Sequence, residues 1–216
     1  MDFGNLVGES FAYAKDGLWE KWSKWVLLLV ATILLALPLM GYMLKILRGE
    51  QPAPEVQDWG TLFIDGIKYA IITIIYAIPL IIILALTMAP VFAAAMTGDA
   101  TAAMAAMGAF FVGMILLIIV AICIAIFEFI GMVRFARTGS MGEAFNFSAI
   151  LATIARIGWF NYIIALVIML IILGIVEMIC SIIPFVGIIL LFVLMPFLTL
   201  FEARYLCMLY DSAGSA

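Results

Sequence analysis

Long apolar runs separated by short polar stretches dominate the chain. Four runs, residues 69–95, 108–133, 158–183 and 185–206, are predicted to be spanning helices, because about twenty apolar residues are enough to cross a bilayer. A further run, residues 25–47, is apolar but contains a proline and a glycine. The pattern predicts an all-α, polytopic membrane bundle in a single domain, with four spanning helices plus one re-entrant or fifth spanning segment.

The segment at residues 25–47 is compatible with two topologies. Its uncharged part, residues 25–44, is preceded by Lys15, Lys21 and Lys24 and followed by Lys45, Arg48 and Lys68. A segment that crosses the membrane usually has its positive residues mainly on one side, so this balance favours a re-entrant hairpin. The hairpin would bend at Pro38–Gly41 and have both ends in the cytoplasm. The alternative is a plain crossing with the N-terminus outside.

Three polar stretches, residues 1–24, 48–68 and 140–157, are predicted to carry amphipathic helices at the membrane interface. In the first, Phe3, Val7 and Phe11 recur every fourth residue while charges occupy other positions. Such spacing is typical of a helix with one apolar face. A helix packed on other protein is the alternative for the first stretch. Mixed acids and bases within it are not typical of a signal peptide.

Basic residues are unevenly distributed among the connecting segments. The loop around residues 97–108 and the turn near 181–184 contain no Lys or Arg, whereas residues 134–156 contain three arginines. By the positive-inside rule, the main polar loops and the C-terminus are predicted to be cytoplasmic, in a multi-pass protein of the cell membrane.

Composition narrows the function classes further. The chain is 68% hydrophobic and 11% charged, with a net charge of −4 and no basic patch, so nucleic acid is not an expected partner. Histidine is absent and the three cysteines are widely separated. We therefore expect no cofactor, no metal site and no enzymatic activity, since no nucleophile–base pair or ligand cluster is evident.

Two carboxylates lie inside predicted spans and are candidate functional residues. Glu128 is expected near the cytoplasmic boundary, where Arg134 or Lys68 could reach it. Glu177 is expected near the external end of its helix. In each case a snorkelling side chain in an ion pair and a transport site are the two alternatives.

A packing face is indicated by Ala105, Ala109 and Gly113, which recur every fourth residue. Small residues at this spacing allow two helices to approach closely. The contact would lie within the bundle or between copies in a homo-oligomer, with membrane lipids as the other expected partner.

An internal repeat is suggested by two similar segments. Residues 8–13, GESFAY, align with residues 142–147, GEAFNF, and each copy continues through aromatic residues into an apolar run. The runs break at a Pro-x-x-Gly turn, at Pro38–Gly41 and Pro184–Gly187. Duplication of this kind occurs in membrane proteins built from structural repeats.

The block DWGTLFIDG contains Asp58, Trp59, Gly60, Asp65 and Gly66. Together with VRFARTGSMGEAFNF (133–147) and IPFVG (183–187), it resembles a prokaryotic, mainly archaeal family of small multi-pass membrane proteins of unknown function. Gln57 stands where the resemblance would place another acid, which argues against a metal site in the block. More loosely, the chain is similar to the membrane domain of some glycerophosphodiesterases, without their catalytic domain. The resemblance implies a topology and no activity.

Two function classes follow from these patterns. The first is a non-enzymatic scaffold or assembly protein that packs or shapes the bilayer through its amphipathic segments and small-residue faces. The second is a transporter or channel for a small solute, ion or lipid, which the repeat and the intramembrane carboxylates favour.

Overall fold

Residues 1–214 are described by a computed structural model, and they contain helices and no β-strand. The predicted all-α class is confirmed. Two short 3-10 turns, Met141–Phe145 and Ser212–Gly214, accompany eight α-helices. These are α1 (Phe3–Leu18), α2 (Trp22–Ile33), α3 (Leu37–Leu47), α4 (Trp59–Thr97), α5 (Ala100–Thr138), α6 (Phe147–Ile157), α7 (Trp159–Ser181) and α8 (Val186–Asp211).

Four helical segments are long and apolar enough to cross a membrane: α4, α5, α7, and α8 with the 3-10 turn that follows it. These segments support a multi-pass membrane protein. Helices α4 and α5 each have 39 residues, or about 58 Å of helix at 1.5 Å per residue. The hydrocarbon core of a bilayer is only about 30 Å thick, so both helices are longer than a crossing requires.

The prediction of a loop around residues 97–108 is wrong, because the connection between α4 and α5 consists only of Gly98 and Asp99. Gly98 ends α4 with φ of +66°, a conformation that glycine adopts without strain. Asp99 begins α5 by accepting a hydrogen bond from the Thr101 N–H at 2.7 Å. Residues 100–107 are mostly alanine and methionine, which are strong helix formers, so α5 starts earlier than their modest hydropathy suggested.

The apolar segment at residues 25–47 contains two short helices, α2 and α3. The break lies at Leu35 and Ala36, whose φ values are 58° and 59°, and the predicted bend at Pro38–Gly41 is therefore misplaced. Pro38 instead lies in the first turn of α3, where its missing N–H costs no hydrogen bond. The ammonium of Lys24, near the start of α2, donates to the Ala53 carbonyl at 2.9 Å. Because Ala53 follows α3, the chain runs out along α2 and returns along α3.

Two glycines bring α3 against the first turns of α4. A Cβ on Gly41 would lie 2.0 Å from the Leu62 carbonyl oxygen, and a Cβ on Gly66 would lie 1.8 Å from that of Leu37. Each helix thus supplies one glycine that accommodates a backbone carbonyl of the other. Only glycine fits at either position, and the two helices run antiparallel in this contact.

The two segments of the proposed repeat differ in local structure. Residues 8–13 are helical within α1, whereas residues 142–145 form a 3-10 turn before α6. The two Pro-x-x-Gly segments share one property, because their glycines both lie against a backbone carbonyl. A Cβ on Gly187 would be 1.8 Å from the Cys180 oxygen, slightly closer than the 2.0 Å found at Gly41.

The buried face of α1 differs from the apolar face that the sequence predicts. It buries Leu6, Ser10, Ala14, Gly17 and Leu18 and leaves Phe11 53% exposed. The buried face is therefore built mainly from small residues, which allow close approach to neighbouring elements. The predicted stripe through Phe11 lies partly on the outer surface.

The chain divides into two compact units, which we call unit 1 and unit 2. Unit 1 comprises Met1–Ile71 and the described part of Phe129–Ala216, and unit 2 comprises Ile72–Glu128. Within unit 1, α8 contacts α1, α2, α3, α6 and α7. Its buried Tyr205 donates a hydrogen bond to the Ala165 carbonyl of α7 at 2.7 Å. The core of unit 1 is therefore centred on α8.

Candidate functional site

In unit 1, Asp65 is the centre of a polar cluster at the start of α4. It is 7% exposed and accepts a hydrogen bond from Arg48 at 2.5 Å, while the Lys68 ammonium lies 3.6 Å from its other oxygen. A buried carboxylate needs such partners, because an unpaired charge in this position would be very unfavourable. Through its ion pair with Arg48, Asp65 therefore connects α4 with the segment that comes after α3.

The remaining residues of the block at 58–66 have structural roles of different kinds. Asp58 precedes α4 with φ of 58°, and its carbonyl accepts from the Leu62 N–H at 3.0 Å. Trp59 is partly exposed, and Gly60 has open space around it. Gly66 makes the close contact with α3. This block therefore forms a helix start, an ion-pair anchor and a helix contact.

Arg134 forms an ion pair with Glu143, which belongs to the 3-10 turn before α6. Asn146 also donates to Glu143, at 3.1 Å. These hydrogen bonds from Asn146 and Arg134 hold the pKa of the Glu143 carboxyl below its ordinary value. Since Lys68 pairs with Asp65, both cations expected near Glu128 are engaged by other carboxylates.

A further cluster surrounds Arg137, which sequence reasoning did not identify. Its guanidinium donates to the Leu47 carbonyl at 2.8 Å, to both carboxylate oxygens of Asp211 at 2.9 Å, and to the Cys207 sulfur at 3.0 Å. The partners lie 70 or more positions away in sequence. No local spacing signals such a contact, although the lone acid Asp211 at the end of α8 is a natural partner for an arginine.

In unit 2, Glu128 of α5 faces two hydroxyl-bearing residues of α4. Its carboxyl is directed towards Thr73, whose hydroxyl oxygen is buried without a well-formed hydrogen bond. Tyr76 is buried, and its phenol is also near Glu128. The three side chains form an intramembrane polar cluster, which we call the Glu128 cluster.

The other carboxylate predicted inside a span has different surroundings. Glu177 lies on α7 and is exposed. Within residues 1–214, its side chain has no hydrogen-bond or ion-pair partner. The structure therefore separates the two candidates into a half-buried group beside hydroxyls and an exposed group four residues before the end of its helix.

The predicted packing face divides into two parts in the structure. Gly113 contacts α4 inside unit 2, where an added Cβ would lie 2.2 Å from the Thr87 hydroxyl oxygen. Ala105 and Ala109 are exposed. They line a groove of about 470 Å³ that also includes Pro90 and Ala93. One part thus packs within the chain, and the other remains accessible.

A second groove on unit 2, of about 460 Å³, has bulkier walls that include Val91, Met107 and Phe110. We call the groove at Ala105 and Ala109 the small-residue groove. It is lined by Pro90, Ala93, Ala94, Thr97, Ala102, Ala105, Ala106 and Ala109. The small-residue groove would allow another helix backbone to approach closely along its length, whereas Met107 and Phe110 obstruct such an approach in the other groove.

The helices and polar clusters define a multi-pass helical protein with four segments able to cross a membrane. The chain belongs to the family described as protein of unknown function (DUF4013), whose model matches residues 25–185. No curated protein and no solved structure matches the chain. The family assignment thus agrees with the expected resemblance to a family of unknown function, and the similarity to glycerophosphodiesterase membrane domains stays a prediction.

Proposed function

We propose that the chain is a non-enzymatic membrane scaffold that assembles with copies of itself through the small-residue groove of unit 2. The observation that carries this proposal is the exposure of α5. None of its most apolar 18-residue stretch is buried inside the structure, and only 17% of the corresponding stretch of α4 is buried. These surfaces are available to lipid or to another helix.

The chemistry of helix association in lipid supports the groove as the contact. Lipid tails are as apolar as leucine side chains, so transmembrane helices associate through close packing and interhelical hydrogen bonds. The small-residue groove offers close packing over about two helical turns, from Ala102 to Ala109 on α5 and from Pro90 to Thr97 on α4. A second copy with the same groove could form a symmetric contact.

Native mass spectrometry of the full chain in mild detergent tests this proposal. We expect a defined multiple of the 23.7 kDa chain. Ala105→Phe should shift the distribution to monomer, because the ring fills the small-residue groove. Ala103→Phe is the matched control, since Ala103 is exposed but lines the bulkier groove. A wild-type monomer, or equal effects of the two substitutions, would refute the proposal.

A second candidate function, transport of a small solute or ion, is favoured by the Glu128 cluster. A carboxyl within a span, next to a buried hydroxyl, is an arrangement found on ion and proton pathways. In a reconstituted flux assay, Glu128→Gln should abolish transport and leave the oligomer intact. Glu177→Gln is the control with the same chemical change at an exposed position. Flux that survives Glu128→Gln would rule out a role of this cluster in transport.

We place the protein in the cell membrane with its C-terminus and main polar loops on the cytoplasmic side, because the arginine-containing connections should be internal. A test uses a single cysteine introduced as Glu9→Cys, at an exposed position of α1, in a chain lacking its native cysteines. Labelling of intact cells by an impermeant thiol reagent at Glu9→Cys would contradict the re-entrant hairpin, whose two ends are both cytoplasmic. Ser140→Cys, at an exposed position between α5 and α6, tests the polar loops in the same background, and labelling there would contradict the proposed orientation.

A further inference from the structure

Unit 1 has a groove between α1, α2 and α8, separate from the polar clusters described above. Its volume is about 410 Å³, which is within the range of sites that hold small ligands. Phe11 and Leu18 of α1, Trp25 of α2, and Leu194 and Phe197 of α8 form its walls. The interior of this groove is thus suited to an apolar chain.

The walls of the groove are held in place by contacts between the helices that form them. The Trp25 indole N–H donates to the Val193 carbonyl of α8 at 2.9 Å. The Phe11 and Phe197 rings meet edge to face with centroids 5.3 Å apart, a favourable aromatic geometry. Both contacts connect elements distant in sequence, so the groove is built by the fold and does not depend on one flexible loop.

The rim of the groove carries a positive charge beside exposed indoles. Lys15 lines the groove and is exposed, and its ammonium has no partner within residues 1–214. Trp19 and Trp22 are 63% and 74% exposed. Tryptophan and lysine side chains prefer the headgroup region of a bilayer, where an indole meets both water and apolar surface.

From this arrangement we infer that the groove is a binding site for one anionic phospholipid of the bilayer. An acyl chain lies between the aromatic walls, and the lipid phosphate or acidic headgroup contacts Lys15. The neighbouring acid Asp16 faces a different depression, formed with Tyr13 and Gln51. The inference does not depend on whether the protein assembles or transports.

The test compares two lipids that share acyl chains and differ in headgroup charge. Phosphatidylglycerol or phosphatidylcholine is added to the full chain in mild detergent, and bound lipid is measured by native mass spectrometry. We expect one phosphatidylglycerol molecule to be retained in preference to phosphatidylcholine. Lys15→Ala should lower phosphatidylglycerol affinity about fivefold, the change expected for one lysine at an anionic membrane surface.

Two further variants separate this site from general attraction. Lys21→Ala removes an equal charge from an exposed lysine that does not line the groove, and it should leave the affinity unchanged. Leu194→Trp fills the groove and should abolish retention of both lipids. Three outcomes would each overturn the inference. The wild type could retain the two lipids equally, or Lys15→Ala and Lys21→Ala could lower the affinity equally. The third is full lipid retention by a folded Leu194→Trp variant.

Discussion

Unit 1 and unit 2 are both helical, but different interactions hold their helices together. Unit 1 contains ion pairs such as Lys24–Glu55, Arg48–Asp65 and Arg137–Asp211, together with the glycine–carbonyl contacts of α3 with α4. Unit 2 contains only two charged residues, Asp99 and Glu128, and both are acidic. Its helices meet through small side chains and hydroxyls.

The difference shows how sequence composition decides what a helix can do in an apolar medium. Burial of apolar surface gives little driving force there, so contacts depend on close packing and polar partners. Unit 1 uses both and builds a core around α8. Unit 2 uses close packing at Gly113 and leaves most of its apolar surface to the surroundings.

Loss of the glycine contact between α3 and α4 is expected to lower the unfolding free energy most. Gly66→Ala would put a methyl group 1.8 Å from a backbone oxygen, and the helices must separate to relieve the overlap. We expect a loss of about 3 kcal/mol of unfolding free energy, the upper end for overpacking. Gly60→Ala on the same helix has open space and should leave stability unchanged in the same reversible unfolding assay.

The second-largest loss of stability is expected from removing the buried charge of Asp65. Asp65→Asn leaves Arg48 and Lys68 without a carboxylate, and we expect about 2 kcal/mol of destabilisation, reduced from the fully buried case because both cations are partly exposed. Asp99→Asn in unit 2 is the control, because asparagine keeps the oxygen that accepts from Thr101. Equal thermal shifts for the two variants would contradict a special role for ion pairs in unit 1.

In unit 2 the corresponding substitution should have a smaller effect. Gly113→Ala overlaps with the Thr87 side chain, which can rotate, unlike the backbone carbonyl next to Gly66. We expect about 1 kcal/mol of destabilisation. Gly108→Ala, with open space on the same helix, serves as the control, and a drop as large as that of Gly66→Ala would show that the unit 2 contact is equally rigid.

The smallest effect is a pH dependence from Glu143 in unit 1. Because its folded-state pKa is lowered from 4.5, the charged carboxylate stabilises the fold above pH 4.5 and the contribution is lost as the pH falls through the folded-state pKa. The melting temperature of the wild type should therefore fall more on acidification than that of Glu143→Gln. Parallel pH profiles for the two proteins would refute the coupling.

Helix positions could be predicted from hydropathy because a spanning helix requires a long apolar run. The connection at residues 97–108 was not predictable from hydropathy, since alanine is only weakly apolar but strongly helix-forming. The break at Leu35–Ala36 was missed because neither residue favours a left-handed conformation, and Pro38 was the more obvious signal. In that case tertiary contacts override the local preference.

Among the candidate site residues, the sequence indicated the intramembrane carboxylates but not their surroundings. Arg134 reaches Glu143 because residues 141–145 form a 3-10 turn, which the amphipathic pattern at 140–157 did not predict. Arg137 reaches Asp211 through the packing of distant helices. Contacts of this range depend on the whole fold and have no signal in local spacing.

Disulfide cross-linking in native membranes tests the central claim, assembly through unit 2, most directly. Ala109→Cys is introduced together with Cys123→Ala, because Cys123 is exposed while Cys180 and Cys207 are buried. Oxidation should give a dimer of twice the chain mass, and Ala103→Cys in the same background should stay mainly monomeric. Absence of the dimer for Ala109→Cys, or equal yields at the two positions, would contradict assembly through the small-residue groove.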